Sequence, residues 1–249
     1  MAFSMARGAA LASVLVFPAV AVHAQTVDDI VARNIQAKGG YELLKNTTSV
    51  RTTGAGKMQG ADVTILTITK RPSFVRNEMT VAGQKMVVGF DGTTAWVSPP
   101  GGLPPQALPP GPQTEALKQN SQIDSPLFDY KAKGTKIELG EPLTEGGRTL
   151  QHLVVTPKGS PAMHYYIDAA TGLEAKMVID TEDAGQKMKM ELRFSDFKAV
   201  EGRMVPFSVA QFVNGNQVLD MRFQKIEFNV PVDEALFRMP VKQAGSGGK

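Results

Sequence analysis

The side chains best suited to acid–base chemistry in this sequence are its three histidines and two pairs of neighbouring carboxylates. His152 and His164 each alternate with apolar residues in an apparent strand, and neither stands near a nucleophile motif. We interpret both as side chains on a strand face, not as general bases. Two isolated histidines in a chain without cysteine also do not supply the three or four ligands of a zinc site. The sequence predicts no catalytic residue, no metal site and no cofactor.

The carboxylate pairs have simpler explanations than catalysis. Asp28 and Asp29 follow Thr26 at the start of an apolar-periodic segment, where a cap and early acids stabilise a helix. Glu182 and Asp183 fall at a predicted hairpin turn, where turn chemistry accounts for them. Function therefore has to be sought among the apolar residues.

Methionine is prominent among those apolar residues. Ten of the twelve methionines follow residue 24, and most of them fall in predicted strands. The methionine side chain is flexible and suits a surface that adapts to varied apolar guests, but it also fills irregular cores. The pattern leaves two hypotheses open, a ligand cavity and a filled core.

The clearest strand signal lies at residues 187–194, where apolar and charged side chains alternate. This two-residue period indicates a strand with one buried face, and Asn214-Gly215 between two later apolar runs indicates a hairpin. The alternation predicts which side chains point inward and line a hydrophobic ligand cavity. These candidate binding residues are Met188, Met190, Leu192, Phe194, Leu219, Met221 and Phe223, with Phe74, Met86 and Trp96 from earlier strands.

Short strands separated by turn signals fill most of the remaining chain. The predicted strands are 50–58, 62–70, 73–81, 84–90, 93–97, 136–139, 149–156, 163–168 and 173–179, followed by three long strands between residues 187 and 229. A spacing of about ten residues per strand predicts a mainly β fold, an antiparallel barrel or strongly curved sheet of about 11–12 strands.

Two segments depart from this strand pattern. Residues 26–37 predict an N-terminal helix that ends before Gly39-Gly40. Residues 98–128 form a proline-rich insert, since residues 98–113 hold seven prolines and can form neither a helix nor a central strand. A short helical candidate follows at residues 114–120. The insert has two interpretations, a lid over an opening and a surface loop of polyproline character.

The N-terminus predicts export. Residues 1–24 read as a cleavable signal peptide, with Arg7, an almost wholly apolar run to Val22 and small residues before Gln25. We then expect residues 25–240 to form a single β domain and residues 241–249 to form a flexible tail. An exported chain without cysteine fits a Gram-negative periplasm.

The charge balance excludes one class of partner. The formal net charge is +3, from 27 basic and 24 acidic residues, and +2 once Arg7 is removed with the signal. This charge is small and spread along predicted strands, so we expect no nucleic acid partner and only transient contact with membranes.

Four motifs resemble periplasmic outer-membrane lipoprotein-sorting proteins, which have the LolA/LolB-like fold. They are the helix end at Gly39-Gly40, the turn at residues 167–173, the motif FSDFKAVEGRMVP at residues 194–206 and the ending FNVPVDEALF at residues 228–237. The resemblance implies a half-open, strongly curved antiparallel barrel whose mouth is covered by the helix and the insert. It also implies a hydrophobic cavity that takes acyl chains without catalysis.

The residues and the resemblance together predict a periplasmic carrier. Its ligands would be the acyl chains of a lipid or lipoprotein, and its role would lie in outer-membrane lipoprotein or lipid sorting. The alternative is a non-catalytic envelope module with a filled core, whose proline-rich loop docks a protein partner.

Overall fold

A computed structural model of the chain describes residues 25–183 and 186–241. The predicted signal peptide, residues 1–24, and residues 242–249 of the predicted tail lie outside the described residues. Within them the chain forms one sheet of 14 strands, in which every strand pair is antiparallel. No helix in these two ranges is long and apolar enough to cross a membrane.

Three α-helices and one 3-10 helix accompany the strands. The helices are α1 Val27–Ala37, α2 Tyr41–Lys45 and α3 Pro112–Asn120, and the 3-10 helix is Glu234–Phe237. The strands are β1 Ser49–Met58, β2 Ala61–Lys70, β3 Phe74–Val81, β4 Gln84–Asp91, β5 Ala95–Ser98, β6 Gln106–Ala107, β7 Lys136–Leu139, β8 Leu143–Glu145, β9 Arg148–Thr156, β10 Met163–Asp168, β11 Glu174–Asp183, β12 Gln186–Val200, β13 Arg203–Val213 and β14 Asn216–Phe228.

The strand order joins the two ends of the chain in the middle of the sheet. Along the sheet the order is β6-β5-β4-β3-β2-β1-β14-β13-β12-β11-β10-β9-β7, with β8 paired to β9 beside this path. The predicted mainly β, curved antiparallel fold is confirmed, with two strands beyond the predicted number. These are β6 and β8, which have two and three residues, too few for an alternating pattern to be recognised.

Helix α1 begins at the predicted cap and covers one face of the sheet, called here the inner face. The hydroxyl of Thr26 accepts a hydrogen bond from the backbone N–H of Asp29 at 3.2 Å, and the Asp29 carboxylate accepts one from the Thr26 N–H at 2.9 Å. This capping box satisfies two N–H groups at the helix start. Ile30 and Val31 are buried against side chains of β9 and β10, which fixes α1 over these strands.

The part of the sheet formed by β3, β4 and β5 is packed on both of its faces. On the inner face, α3 contributes Leu117 to a cluster with side chains of β3, β4 and β5. On the outer face, Trp96 of β5 is fully buried, and its indole N–H donates to the carbonyl of Phe237 at 2.7 Å. The 3-10 helix thus closes the outer face of β3–β5.

Gly89→Ala is expected to lower the free energy of unfolding by about 1–3 kcal/mol. A Cβ at this position would lie 2.5 Å from the indole of Trp96, which cannot move without losing its bond to Phe237. Urea denaturation measures the change, with Gln84→Ala at an exposed position of the same strand as the control. Equal unfolding midpoints for the two variants would contradict the expected clash.

The proline-rich part of the insert follows the edge of the sheet. Strand β6 pairs with β5 through Val97↔Gln106 and Trp96↔Ala107. Pro112 opens α3, at a helix position where no N–H is required. The part of the insert that reaches the cavity described below is a later one, residues 123–128.

Candidate functional site

A cavity of about 460 Å³ lies between the inner face of the sheet and the segments that cover it. Strands β1 and β10–β14 form its floor, and α1, α2 and residues 123–128 form its roof. Of its 24 lining residues, 16 are apolar. The apolar ones are Ile35, Leu44, Val50, Ile123, Leu127, Phe128, Tyr165, Met177, Phe194, Phe197, Met204, Val205, Pro206, Phe223, Ile226 and Phe228, and the polar ones are Asn34, Lys38, Thr47, Thr52, Asp124, Ser125, Glu174 and Arg203.

An irregular position in β12 brings two phenylalanines to this cavity. A regular strand places residues three apart on opposite faces, yet Phe194 and Phe197 both line the cavity. Between them, Asp196 has a φ of 53°, a left-handed conformation that interrupts the extended strand. The short motif FSDF therefore supplies two aromatic rings to the wall.

The first charged group of the wall is an ion pair between α1 and the sheet. The Nζ of Lys38 lies 2.7 Å from Oε1 of Glu174 at the start of β11. Burial opposes ionisation of Glu174, but the charge and hydrogen bond of Lys38 outweigh it, so the pKa of this carboxyl lies below its ordinary value of 4.5. The pair is therefore ionised at neutral pH, and its two charges cancel within the wall.

Glu174→Gln is expected to remove part of the acid sensitivity of the fold. Because the folded pKa of Glu174 lies below 4.5, its carboxylate stabilises the fold above that pH, and the stabilisation is lost as the pH falls through the folded pKa. Urea denaturation should show the variant less stable than the wild type by about 1–3 kcal/mol at neutral pH. The two stabilities should converge as the pH falls below 4.5 and through the folded pKa, and a constant difference would contradict this assignment.

A second ion pair joins the roof of the cavity to the end of β2. Arg71 donates two parallel hydrogen bonds to the carboxylate of Asp124, at 2.6 and 2.7 Å, the bidentate arrangement that makes such pairs strong. Its Nε also donates to the carbonyl of Thr47 at 2.6 Å. One guanidinium thus holds residues 123–128 and the chain after α2 together above the cavity.

Arg203, at the start of β13, is a buried cation with no carboxylate within ion-pair distance among the described residues, although the charge of Glu201 attracts it at longer range. Only 3% of its surface is exposed. It donates to the hydroxyl of Thr47 at 2.9 and 3.1 Å, and to the carbonyls of Leu43 at 3.0 Å and Glu201 at 3.1 Å. Its Cζ lies 4.4 Å from the ring centroid of Phe228, a cation–π contact. Burial lowers the pKa of Arg203, but an arginine remains charged in proteins.

The strand register places seven of the predicted cavity residues on the inner face. They are Met188, Met190, Leu192, Phe194, Leu219, Met221 and Phe223. Phe194 and Phe223 line the cavity itself. The other five lie beyond it on the same face, where Met221 is buried and the rest are half-buried. As ligand contacts, all seven stay predictions.

The three predicted residues from earlier strands lie away from the cavity. The register places Met86 on the inner face, paired with Met79. It places Phe74 and Trp96 on the outer face, where the ring of Phe74 lies 5.3 Å from that of Phe237. Their surroundings are those of packing residues, and a role in ligand binding stays a prediction.

The two histidines of the described chain bond to each other and do not line the cavity. The Nε2 of His152 and the Nδ1 of His164 are 2.8 Å apart, and Tyr166 stacks on His152 with a centroid distance of 4.6 Å. Burial and the neighbouring His164 lower the pKa of His152. In residues 25–183 and 186–241, no group of three His, Asp or Glu side chains is placed to hold a metal ion. The cavity wall thus offers binding surfaces and fixed charges.

No sequence pattern predicts the charged pairs of the wall. Arg71 and Asp124 are 53 residues apart, and Lys38 and Glu174 are 136 apart, so no local pattern indicates either pair. Arg203 did have a local signal. It is a lone cation within the motif GRMVP, at the point where a strand with an apolar face begins.

Comparison with known proteins gives a result at the level of the fold. No protein-family model matches the sequence, and no curated protein matches it. A DUF1329 family protein from Desulfovibrio piger matches with a TM-score of 0.56 and 13% identity, over 85% of this chain and 97% of that one. A LolA superfamily protein from Nitrosomonas europaea matches with a TM-score of 0.55 and 11% identity, over 86% and 98%.

A third solved structure matches to a similar degree. It is a domain from Vibrio parahaemolyticus assigned to outer membrane lipoprotein sorting, with a TM-score of 0.54 and 11% identity, over 85% of this chain and 97% of that one. Likeness at such low identity shows the fold alone. At this level the resemblance in the sequence motifs is confirmed, and the chain has the LolA-like fold.

Proposed function

We propose that this protein binds the acyl chain of a lipid or lipoprotein in the cavity beneath α1, α2 and residues 123–128. The observation that carries the proposal is the cavity wall, where 16 of 24 lining residues are apolar. Burial contributes roughly 0.8 kcal/mol per methylene, so one long chain contributes on the order of 10 kcal/mol before the costs of association. Such a wall binds an acyl chain without catalysis.

The proposed biological role is that of a periplasmic carrier in outer-membrane lipoprotein or lipid sorting. The predicted signal peptide and the LolA-like fold support this role. Helix α1 and the insert would gate the cavity, because both contribute residues to its roof. Half-buried methionines lie beyond the cavity on the inner face of β12, and methionine suits chains of varied length.

Native mass spectrometry tests the proposal. The protein is purified from its own periplasm without detergent and is measured before and after incubation with phospholipid vesicles. A mass excess that matches a lipid or an acylated peptide is expected, and tandem fragmentation identifies the cargo. An unchanged apo mass in both samples would overturn the proposal.

A second candidate function is docking of a protein partner by the proline-rich loop. Leu103 favours it, because 60% of this leucine is exposed within a run of prolines, the composition that aromatic-lined grooves recognise. Leu103→Asp should then abolish capture of a specific envelope partner and leave lipid loading intact. Leu139→Asp, at an exposed leucine of β7, is the control, and equal capture by both variants would exclude this function.

A further inference from the structure

The charged side chains that line the cavity are not all held in ion pairs. Each of the two acids in the wall is matched by a base, Glu174 by Lys38 at 2.7 Å and Asp124 by Arg71 at 2.6 Å. Arg203 has no carboxylate within ion-pair distance among the described residues, and Glu201 attracts it only at longer range.

One N–H group of Arg203 also has no hydrogen-bond acceptor among the described residues. A guanidinium has five N–H groups, and four bonds are made, all to neutral oxygens of Thr47, Leu43 and Glu201. The remaining N–H is on Nη1, which makes a single bond, to the Glu201 carbonyl. A buried charge is costly unless it is paired or fully hydrogen-bonded. The site is therefore suited to receive an anion.

The size of the cavity limits how many chains it holds. An apolar cavity of about 150 Å³ accommodates one benzene ring of six carbons. By the same ratio a cavity of about 460 Å³ accommodates on the order of 18 carbon atoms. This is the size of one long acyl chain, whereas two or three chains exceed it.

We infer that the cavity takes a single-chain amphiphile with an anionic head, whose carboxylate or phosphate lies against Arg203 while the chain lies on the apolar wall. The inference rests on the proposed function and specifies its ligand class. Arginine suits this role because its planar fork matches both carboxylate and phosphate oxygens. A fatty acid and a lysophospholipid both have this chemistry.

Two matched ligand pairs test the head group on the wild-type protein. The first pair is hexadecanoate and hexadecanol, and the second is palmitoyl lysophosphatidate and monopalmitoylglycerol. Affinities are measured below the micellar range by displacement of the uncharged fluorescent probe N-phenyl-1-naphthylamine. In at least one pair the anion is expected to bind about tenfold or more tightly than its neutral partner. The ratio of anionic to neutral affinity will be larger in the first pair if the site prefers a carboxylate, and larger in the second pair if it prefers a phosphate.

Variants then assign the preference to Arg203. Arg203→Gln is expected to bring the ratio of affinities close to one, because the anionic ligands lose more affinity than their neutral partners. Arg203→Lys, which keeps the charge and loses the fork, should retain part of the ratio. The matched control is Arg222→Gln at an exposed position of β14, which should retain all of it.

The outcomes separate this inference from the proposed function. Equal wild-type affinities within both pairs would overturn the role of Arg203 and leave the acyl-binding function standing. Displacement of the probe by none of the four ligands would overturn both. Binding of a diacyl phosphatidate as tightly as its lyso form would overturn the single-chain limit. Because the wild-type ratios alone decide the first point, the test holds even if Arg203→Gln fails to fold.

Discussion

Phe194→Arg is expected to abolish lipid loading and to lower the affinity for an acyl-chain ligand by about 100-fold or more. Phe194 lines the cavity on β12, where the new guanidinium would face mostly apolar side chains. Desolvating an unpaired charge costs several kcal/mol, and every 1.4 kcal/mol is tenfold in affinity. The charge would thus draw water into the wall against which the chain has to pack.

Ser195→Arg provides the control for this loss. It places the same side chain at the next residue of the strand, at a position that is exposed and outside the cavity. Native mass spectrometry after vesicle incubation should show cargo on Ser195→Arg and none on Phe194→Arg, with circular dichroism confirming that both are folded. Equal loading of the two folded variants would mean that the ligand lies elsewhere.

Met190→Arg then reports how far the ligand extends. Sequence alternation alone predicts that this change also abolishes loading, because Met190 shares the face of Phe194. The structure places Met190 on that inner face but outside the cavity, with its sulfur 3.1 Å from the amide nitrogen of Gln211. Lost loading would extend the binding surface along the methionines of β12, and retained loading would confine it to the cavity.

The strands were predictable because they are encoded by local patterns. The pairs Gln59-Gly60, Ala82-Gly83 and Asn214-Gly215 were identified as turns, and both residues of each pair have positive φ. Such turns require φ > 0 at two successive positions, which glycine adopts without strain. Once these turns are located, the lengths of the strands between them are nearly determined.

The cavity was less predictable because its walls come from distant parts of the chain. Alternation identifies which side of β12 is apolar. It does not identify the part of the strand that α1 and residues 123–128 cover. Met188 and Phe194 are therefore equivalent in the sequence, although only Phe194 lines the cavity. Trp96 shows the same limitation, since the register of the intervening strands decides its face.

Asp124→Ala is expected to lower the stability of the protein by roughly 1–3 kcal/mol and to speed the release of bound ligand. It removes both bonds that Arg71 makes to residues 123–128 and leaves a partly buried cation with carbonyl partners only. Residues 123–128 would then close over the cavity with a smaller free-energy gain. Stopped-flow transfer of a fluorescent fatty acid to acceptor vesicles measures the release rate.

The control for this variant is Asp62→Ala, which breaks the exposed ion pair of Lys57 and Asp62. Such surface pairs contribute about 0–1 kcal/mol, so both stability and release rate should stay close to those of the wild type. If Asp124→Ala lowers stability without changing release, residues 123–128 are only part of the packed core and the ligand leaves by another route. If release accelerates while the affinity for chains of different length falls equally, the Arg71–Asp124 pair acts on the opening of the cavity and not on its fit to the chain.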